Sequence, residues 1–178
     1  MLPFFFAIAS SEVEYNYDVI TNTFTVSGSG VANPDNVTEM FPDGRNWTIG
    51  VFKGDFTYVP SNVFSGAVAM VKMIIEAPIE FIDSEAFTCL HSLQEFICPV
   101  TCYKIGNRAF SDSTGLKNFS YYNGLIEIHN YTFSGCTNLV NFVMLTDKEF
   151  NDTIIDPSYS YGEGVFQGCS SLVNIQIH

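Results

Sequence analysis

One phrase is written four times in the second half of the chain: EAFTCLHSLQEFIC, RAFSDSTGLKNFSY, YTFSGCTNLVNFVM and GVFQGCSSLVNIQI. Its anchor phenylalanines are Phe87, Phe110, Phe133 and Phe166, and Phe64 in NVFSGAVAMVKMII opens a weaker fifth copy. Successive anchors are thus 23, 23, 23 and 33 residues apart. A unit of that length cannot bury an apolar side by itself, so a chain built this way must stack its units into a solenoid with one continuous core.

The apolar columns define the coil. Six residues after each anchor stands Met70, Leu93, Leu116, Leu139 or Leu172, and nine after stands Met73, Phe96, Phe119, Phe142 or Ile175. Five before it stands Val59, Ile82, Ile105, Ile128 or Tyr161. The recurring L-x-x-[FI]-x-apolar run reads as the short strand of a leucine-rich repeat, one strand per coil in a parallel sheet. Between anchor and strand, runs such as Ser134-Gly135-Cys136-Thr137-Asn138 consist of turn formers and are too short for a long helix. The fold class is therefore a leucine-rich repeat solenoid with short parallel strands and little helix.

Side chains alternate along a strand. If positions six, nine and eleven after the anchor point inward, positions eight, ten and twelve make the exposed sheet face. These are Lys72, Ile74 and Glu76, then Glu95, Ile97 and Pro99, then Asn118, Ser120 and Tyr122. The last two coils add Asn141, Val143 and Leu145, then Asn174, Gln176 and His178. A contiguous strip mixing Ile97, Tyr122, Val143 and Leu145 with polar neighbours is the expected binding surface. The long final spacing places an insertion at residues 146–158, which is expected to protrude as a loop.

Residues 59–178 hold about five repeats, and 11–58 lack the phrase and read as an N-terminal β cap. There Tyr15, Tyr17 and Val19 alternate, then Phe24 and Val26 after the turn at Ile20-Thr21-Asn22, the pattern of a hairpin. With Trp47, Ile49 and Val51 it supplies cover for the first coil. Residues 1–10, apolar and ending near Ala7-Ile8-Ala9, read as a short signal peptide without a basic start; the other reading is a buried first strand. No later run reaches the length of a membrane span. Five sequons, at Asn36, Asn46, Asn118, Asn130 and Asn151, are possible glycosylation sites if the chain is exported.

The 23-residue period together with F-x-G-C-x-x-L-x-x-[FI], clearest in YTFSGCTNLVNFVM and GVFQGCSSLVNIQI and led in by IGNRAF at 105–110, resembles the BspA-like, or Treponema pallidum type, leucine-rich repeat family. The resemblance covers about two-thirds of the chain. It implies a non-enzymatic, secreted or cell-surface protein of a host-associated bacterium or mucosal parasite, used in attachment to host proteins. The second and third copies depart from the pattern: Cys89 comes one position early, and Phe110-Ser-Asp-Ser113 has no cysteine.

Acidic residues outnumber basic ones 19 to 7, for a net charge of −12, which excludes a phosphate backbone as partner. The cysteines at 89, 98, 102, 136 and 169 are odd in number. Cys136 and Cys169 share a column and read as buried thiols. Cys98 and Cys102 have the spacing for a local disulfide in an oxidising compartment. A zinc site from Cys89, His91, Cys98 and Cys102 has none of the usual paired spacings. No catalytic motif surrounds His91, His129 or His178, and neither cofactor nor metal is expected. The expected function is protein binding through the sheet face, with a host surface or extracellular-matrix protein as partner. Self-association through an uncapped C-terminal end, as in a structural coat, or carbohydrate binding near Tyr121 and Tyr122, are the alternatives.

Overall fold

The structure, a computed structural model, describes residues 5–9 (backbone only), 12–42, 44–122, 124–145 and 160–176. The loop expected at 146–158, Asn151 and His178 lie outside them.

Three antiparallel strands come first: β1 (Phe5–Ala9), β2 (Val13–Asp18) and β3 (Thr23–Gly28). β1 pairs with β2 and β2 with β3, both antiparallel. The hairpin turn is held by the Asp18 carboxylate, which accepts from the Ile20 amide at 2.9 Å and from the Thr21 hydroxyl at 2.8 Å. Thus the backbone at 5–9, within the stretch read as a signal peptide, takes the outer position of the first sheet. A short helix, α1 (Pro34–Met40), follows, with Asn33 as N-cap and Pro34 in the first turn, both standard helix-start signals that the sequence reading passed over.

β4 (Ile49–Gly54) then runs parallel to β3. It is a worn-down coil. Counting 23 residues back from Phe64 reaches Phe41, six further on is Trp47, and Gly50 lies opposite Met73 in the strand register. Where later coils have phenylalanine this one has glycine, and the sulfurs of Met70 and Met73 occupy the space: a Cβ on Gly50 would stand 2.8 and 2.9 Å from them. The half-buried Arg45 fastens this segment to the array, its guanidinium donating to the carbonyls of Asn62, Val63 and Ser65 at 2.6, 3.1 and 2.7 Å.

Each later coil contributes two strands. In order they are β5 (Tyr58–Val59), β6 (Lys72–Ile75), β7 (Phe81–Ile82), β8 (Glu95–Ile97), β9 (Lys104–Ile105), β10 (Asn118–Tyr122), β11 (Glu127–Ile128), β12 (Asn141–Leu145), β13 (Ser160–Tyr161) and β14 (Asn174–Ile175). The odd-numbered strands β5 to β13 form one parallel sheet. On the other side, β4 pairs with β6, while β8, β10, β12 and β14 form a separate parallel sheet. A third ladder climbs the turns: the amides of Phe87, Phe110 and Phe133 donate to Ala109, Thr132 and Val165 of the next coil at 2.8 to 2.9 Å.

The core is a double column of rings. Phe64, Phe87, Phe110, Phe133 and Phe166 stack with centroids 5.2 to 5.7 Å apart and nearly parallel planes. Phe96, Phe119 and Phe142 form a second stack, and the two columns meet edge to face. Both geometries suit the ring quadrupole. Met70, Leu93, Leu116 and Leu139, with Val59, Ile82, Ile105 and Ile128, are buried as expected, whereas in the last coil Leu172 is only partly buried and Tyr161 and Ile175 are exposed.

The two atypical copies keep the same turn. Two positions after the anchor, Gly66, Cys89, Asp112, Gly135 and Gly168 all have positive φ, between 55° and 77°. Two positions before it, Asn62, Glu85, Arg108, Tyr131 and Gly164 do likewise, between 54° and 63°. Every coil therefore enters and leaves its anchor through left-handed backbone, and glycine at the second position is favoured because it lacks a Cβ.

Candidate interaction face

Period-two alternation sorts inward from outward side chains along these strands. Position eleven points inward: Cys98 is buried, and Tyr121 is 1% exposed, with its hydroxyl donating to the Gln176 carbonyl. Tyr121 is thus unavailable to a sugar, which removes half of the tyrosine pair considered for carbohydrate binding. Of the face residues, Glu95, Ile97, Asn174 and Gln176 are exposed, and Asn118, Tyr122, Asn141, Val143 and Leu145 are half-buried. Ser120 corrects the expectation: it is only 7% exposed. Its partners in register are Ile97 and Val143, and a hydroxymethyl group between two larger aliphatic side chains is shaded from solvent.

The polar part of the face is a ladder. Asn174 Nδ2 donates to Asn141 Oδ1 at 2.5 Å, and Asn141 Nδ2 donates to Asn118 Oδ1 at 2.6 Å. Like amides recurring on neighbouring parallel strands bond in register; here the row fixes three side chains that would otherwise rotate freely. Gln176 is held as well, its Oε1 accepting from the Met144 amide at 3.2 Å. The face is consequently a preordered row of amides flanked by Ile97, Val143, Leu145 and Tyr122. The recurrence of Asn118, Asn141 and Asn174 eight residues after the anchor was the visible signal for this ladder.

The sequons occupy different settings. Asn46 and Asn130 are exposed, the latter accepting from the Glu163 amide at 2.8 Å. Asn36 lies in α1. Asn118 is in the ladder and its partner hydroxyl Ser120 is buried, so a glycan there would displace strand contacts.

The cysteines do not assemble a metal centre: among the described residues no three His, Cys, Asp or Glu side chains converge as ligands. Cys136 and Cys169 donate to the carbonyls of Phe110 and Phe133, each at 3.1 Å, and Ser113 in the same column donates to Phe87 at 2.8 Å. Small side chains in this column thus tie each coil to the anchor of the one before. Burial pushes the Cys136 thiol up strongly and the Cys169 thiol up to about 11. Cys98 and Cys102, the pair with the spacing for a local disulfide, are buried free thiols, and Cys102 Sγ donates to the Lys104 carbonyl at 3.4 Å; burial raises Cys98, and the neighbouring Cys98 thiol lowers Cys102.

A stacked, parallel, two-sheet coil with a double interior column of phenylalanines and a patterned outer face defines the class of leucine-rich repeat solenoids. The sequence pattern of the BspA type leucine-rich repeat region matches residues 57–178, in six copies, and the chain belongs to that family. Among solved structures it is similar to a leucine-rich repeat protein from Eubacterium ventriosum, with TM-score 0.57 and 15% identity over 79% of this chain and 45% of that one. It is also similar to the pneumococcal vaccine antigen PcpA, with TM-score 0.48 and 16% identity over 94% of this chain and 48% of that one. A third is a leucine-rich repeat protein of T. pallidum, with TM-score 0.38 and 15% identity over 93% and 90%. The chain spans about half the length of the first two. No curated protein matches it. Among the described residues no helix is long and apolar enough to cross a membrane.

Proposed function

We propose that the array is a non-enzymatic protein-binding module, displayed at a cell surface or secreted, that contacts a host surface or extracellular-matrix protein through the face built by β8, β10, β12 and β14. The observation that carries this reading is the ordered asparagine ladder bordered by apolar side chains. Ladder amides fixed in register have already lost the side-chain freedom that a partner would otherwise have to take from them. Ile97, 52% exposed, with Tyr122 and Val143, supplies the apolar contact that interfaces concentrate at their centre. Membership in the repeat family supports a binding role in general; the adhesive role and the host partner are inferences from the face.

The test is capture from epithelial and extracellular-matrix extracts by residues 12–178, compared with Tyr122→Ala, Val143→Asp and Leu145→Asp. Retention of one defined protein by the parent and its loss in the three folded variants is the expected result; equal retention by all four rejects the face. The alternative reading is a self-associating structural coat component. Sedimentation at increasing concentration separates the two: a protein that stays monomeric while capturing a partner supports the face, and one that oligomerises without capturing any supports the coat.

A further inference from the structure

The coils are joined along this side by a recurring pair of bonds. Val71 and Lys72 donate to the Thr48 carbonyl, Lys117 and Asn118 to Gln94, Val140 and Asn141 to Lys117, and Val173 and Asn174 to Val140. The corresponding pair from Gln94 and Glu95 to Val71 is missing. β6 and β8 share no ladder and stand farther apart than the hydrogen-bonded neighbours on either side. The same two coils are closed elsewhere: β5 pairs with β7, and Phe64 and Gly66 donate to Ala86 and Thr88 at 3.1 and 2.9 Å. Among the described residues the repeat strands are therefore left unpaired between β6 and β8, and the same two coils are hinged on their other two sides.

Ladder alternation says what faces that opening. Lys72 and Glu76 direct their amides to β4, so the amides of Met73 and Ile75 and the carbonyls of Val71 and Met73 face away from it. Asn118 takes the Gln94 carbonyl and Cys98 donates to Ser120, so the amides and carbonyls of Glu95 and Ile97 face β6. Two strand edges thus confront each other with alternating donors and acceptors. Between them lies a cleft of about 300 Å³ lined by Met73, Ile75, Phe96, Ile97, Val100 and Tyr122 among others. Depressions at Lys72 and Glu95, and at His91 and Gln94, continue it along the strands.

We infer that the seam between β6 and β8 receives an extended peptide segment of a partner protein, paired to these edges by backbone hydrogen bonds with one apolar side chain in the cleft. An apolar small molecule would fill the cleft and leave the edges unpaired; only another extended backbone offers donors and acceptors at the same alternation. Neighbouring strands are spaced about 4.8 Å, so seating a strand between two others needs roughly twice that width, and a gap hinged on two intact ladders can supply it. This inference rests on the reading of the array as a protein-binding module and places its anchor point at one border of the face.

The test uses a capped synthetic peptide with the sequence of residues 114–122, the strand segment that the array itself lays beside β8, in fluorescence anisotropy and in hydrogen exchange. A control peptide is N-methylated at alternate residues. Expected are fast exchange at Met73, Glu95 and Ile97 in the free protein, slow exchange at Asn118 and Ser120, and protection of the first three by the peptide. N-methylation should weaken binding about tenfold or more. Glu95→Pro removes an amide that bonds nothing in the array, as proline does at an edge, and should abolish peptide binding while keeping the fold. Slow exchange at Glu95 and Ile97 in the free protein overturns the open seam, whatever the variant does. Absence of peptide binding, or binding indifferent to N-methylation, overturns the pairing. Binding lost in Val143→Asp but kept in Glu95→Pro moves the contact to the open face, overturning the seam while leaving the protein-binding module in place. Failure of extract capture together with retained seam binding rejects the host-contact reading alone.

Discussion

Replacing Phe110 by alanine removes a ring with four ring partners in the middle of the spine. Phe110 is fully buried and meets Phe87 and Phe133 face to face, and Phe96 and Phe119 edge to face. Buried phenylalanine-to-alanine changes cost about 3–5 kcal/mol including the cavity. Aromatic pairs add roughly 0.5–1.5 kcal/mol each beyond area, so with four ring partners the upper end, about 5 kcal/mol, is expected. Phe166 is only partly buried and has two ring partners, Phe133 and Phe142; its replacement should cost about 2 kcal/mol on the same scale. The difference of about 3 kcal/mol, at a urea slope near 2 kcal/mol per molar, separates the two midpoints by roughly 1.5 M. Urea titration followed by far-ultraviolet dichroism and by the single tryptophan reads this out. Trp47 is fully buried at the cap end of the array, so its emission also tells whether damage at the middle coil reaches the first. Equal costs for Phe110→Ala and Phe166→Ala would refute the continuous stack as the source of stability. Non-coincident transitions would instead show that coils unfold in separate blocks.

Two further outcomes follow from the turns and the thiols. Cys89→Gly should raise stability by about 0.5–1 kcal/mol, because left-handed backbone costs an L-residue more than glycine loses in entropy. Asp112→Gly should gain less, aspartate being better tolerated there, whereas Gly135→Ala should destabilise, since its φ is +76° and a Cβ would stand 2.3 Å from Asp112 Oδ1; thermal melts rank the three. Alkylation of the folded protein should label Cys89 first and the fully buried Cys98 and Cys136 last. Cys136 and Cys169 keep their protons in the folded state at pH values where unfolded thiols have lost them. Their contribution to stability is therefore full below about pH 8.5 and falls as pH rises toward the Cys169 value of about 11. Unfolding titrations at pH 7.5 and 9.5 should show the loss, and Cys136→Ser with Cys169→Ser should flatten it.

Much of this molecule is written in its period. The 23-residue recurrence of Phe64, Phe87, Phe110 and Phe133 determines stacked coils, because each unit has one apolar side too small to stand alone, and strand alternation then sorts inward from outward positions. The turn formers around the anchors anticipated the left-handed residues at Gly135 and Gly168, and the structure extends that geometry to Cys89 and Asp112, where steric cost is borne by the ladder on either side. Periodicity gives the direction of a side chain but not its shading, which is why Ser120 was assigned to the open face and is instead covered by Ile97 and Val143. The worn coil at Phe41, Trp47 and Gly50 was hidden because glycine replaces the expected ring, and its fit depends on methionines from the next coil. Least legible was the seam: Val71, Met73, Glu95 and Ile97 stand in the repeat exactly where paired neighbours stand elsewhere. Whether two adjacent strands close on each other is decided by packing around the coil and by where the cap sheet ends, a relation between segments that no single strand's sequence carries.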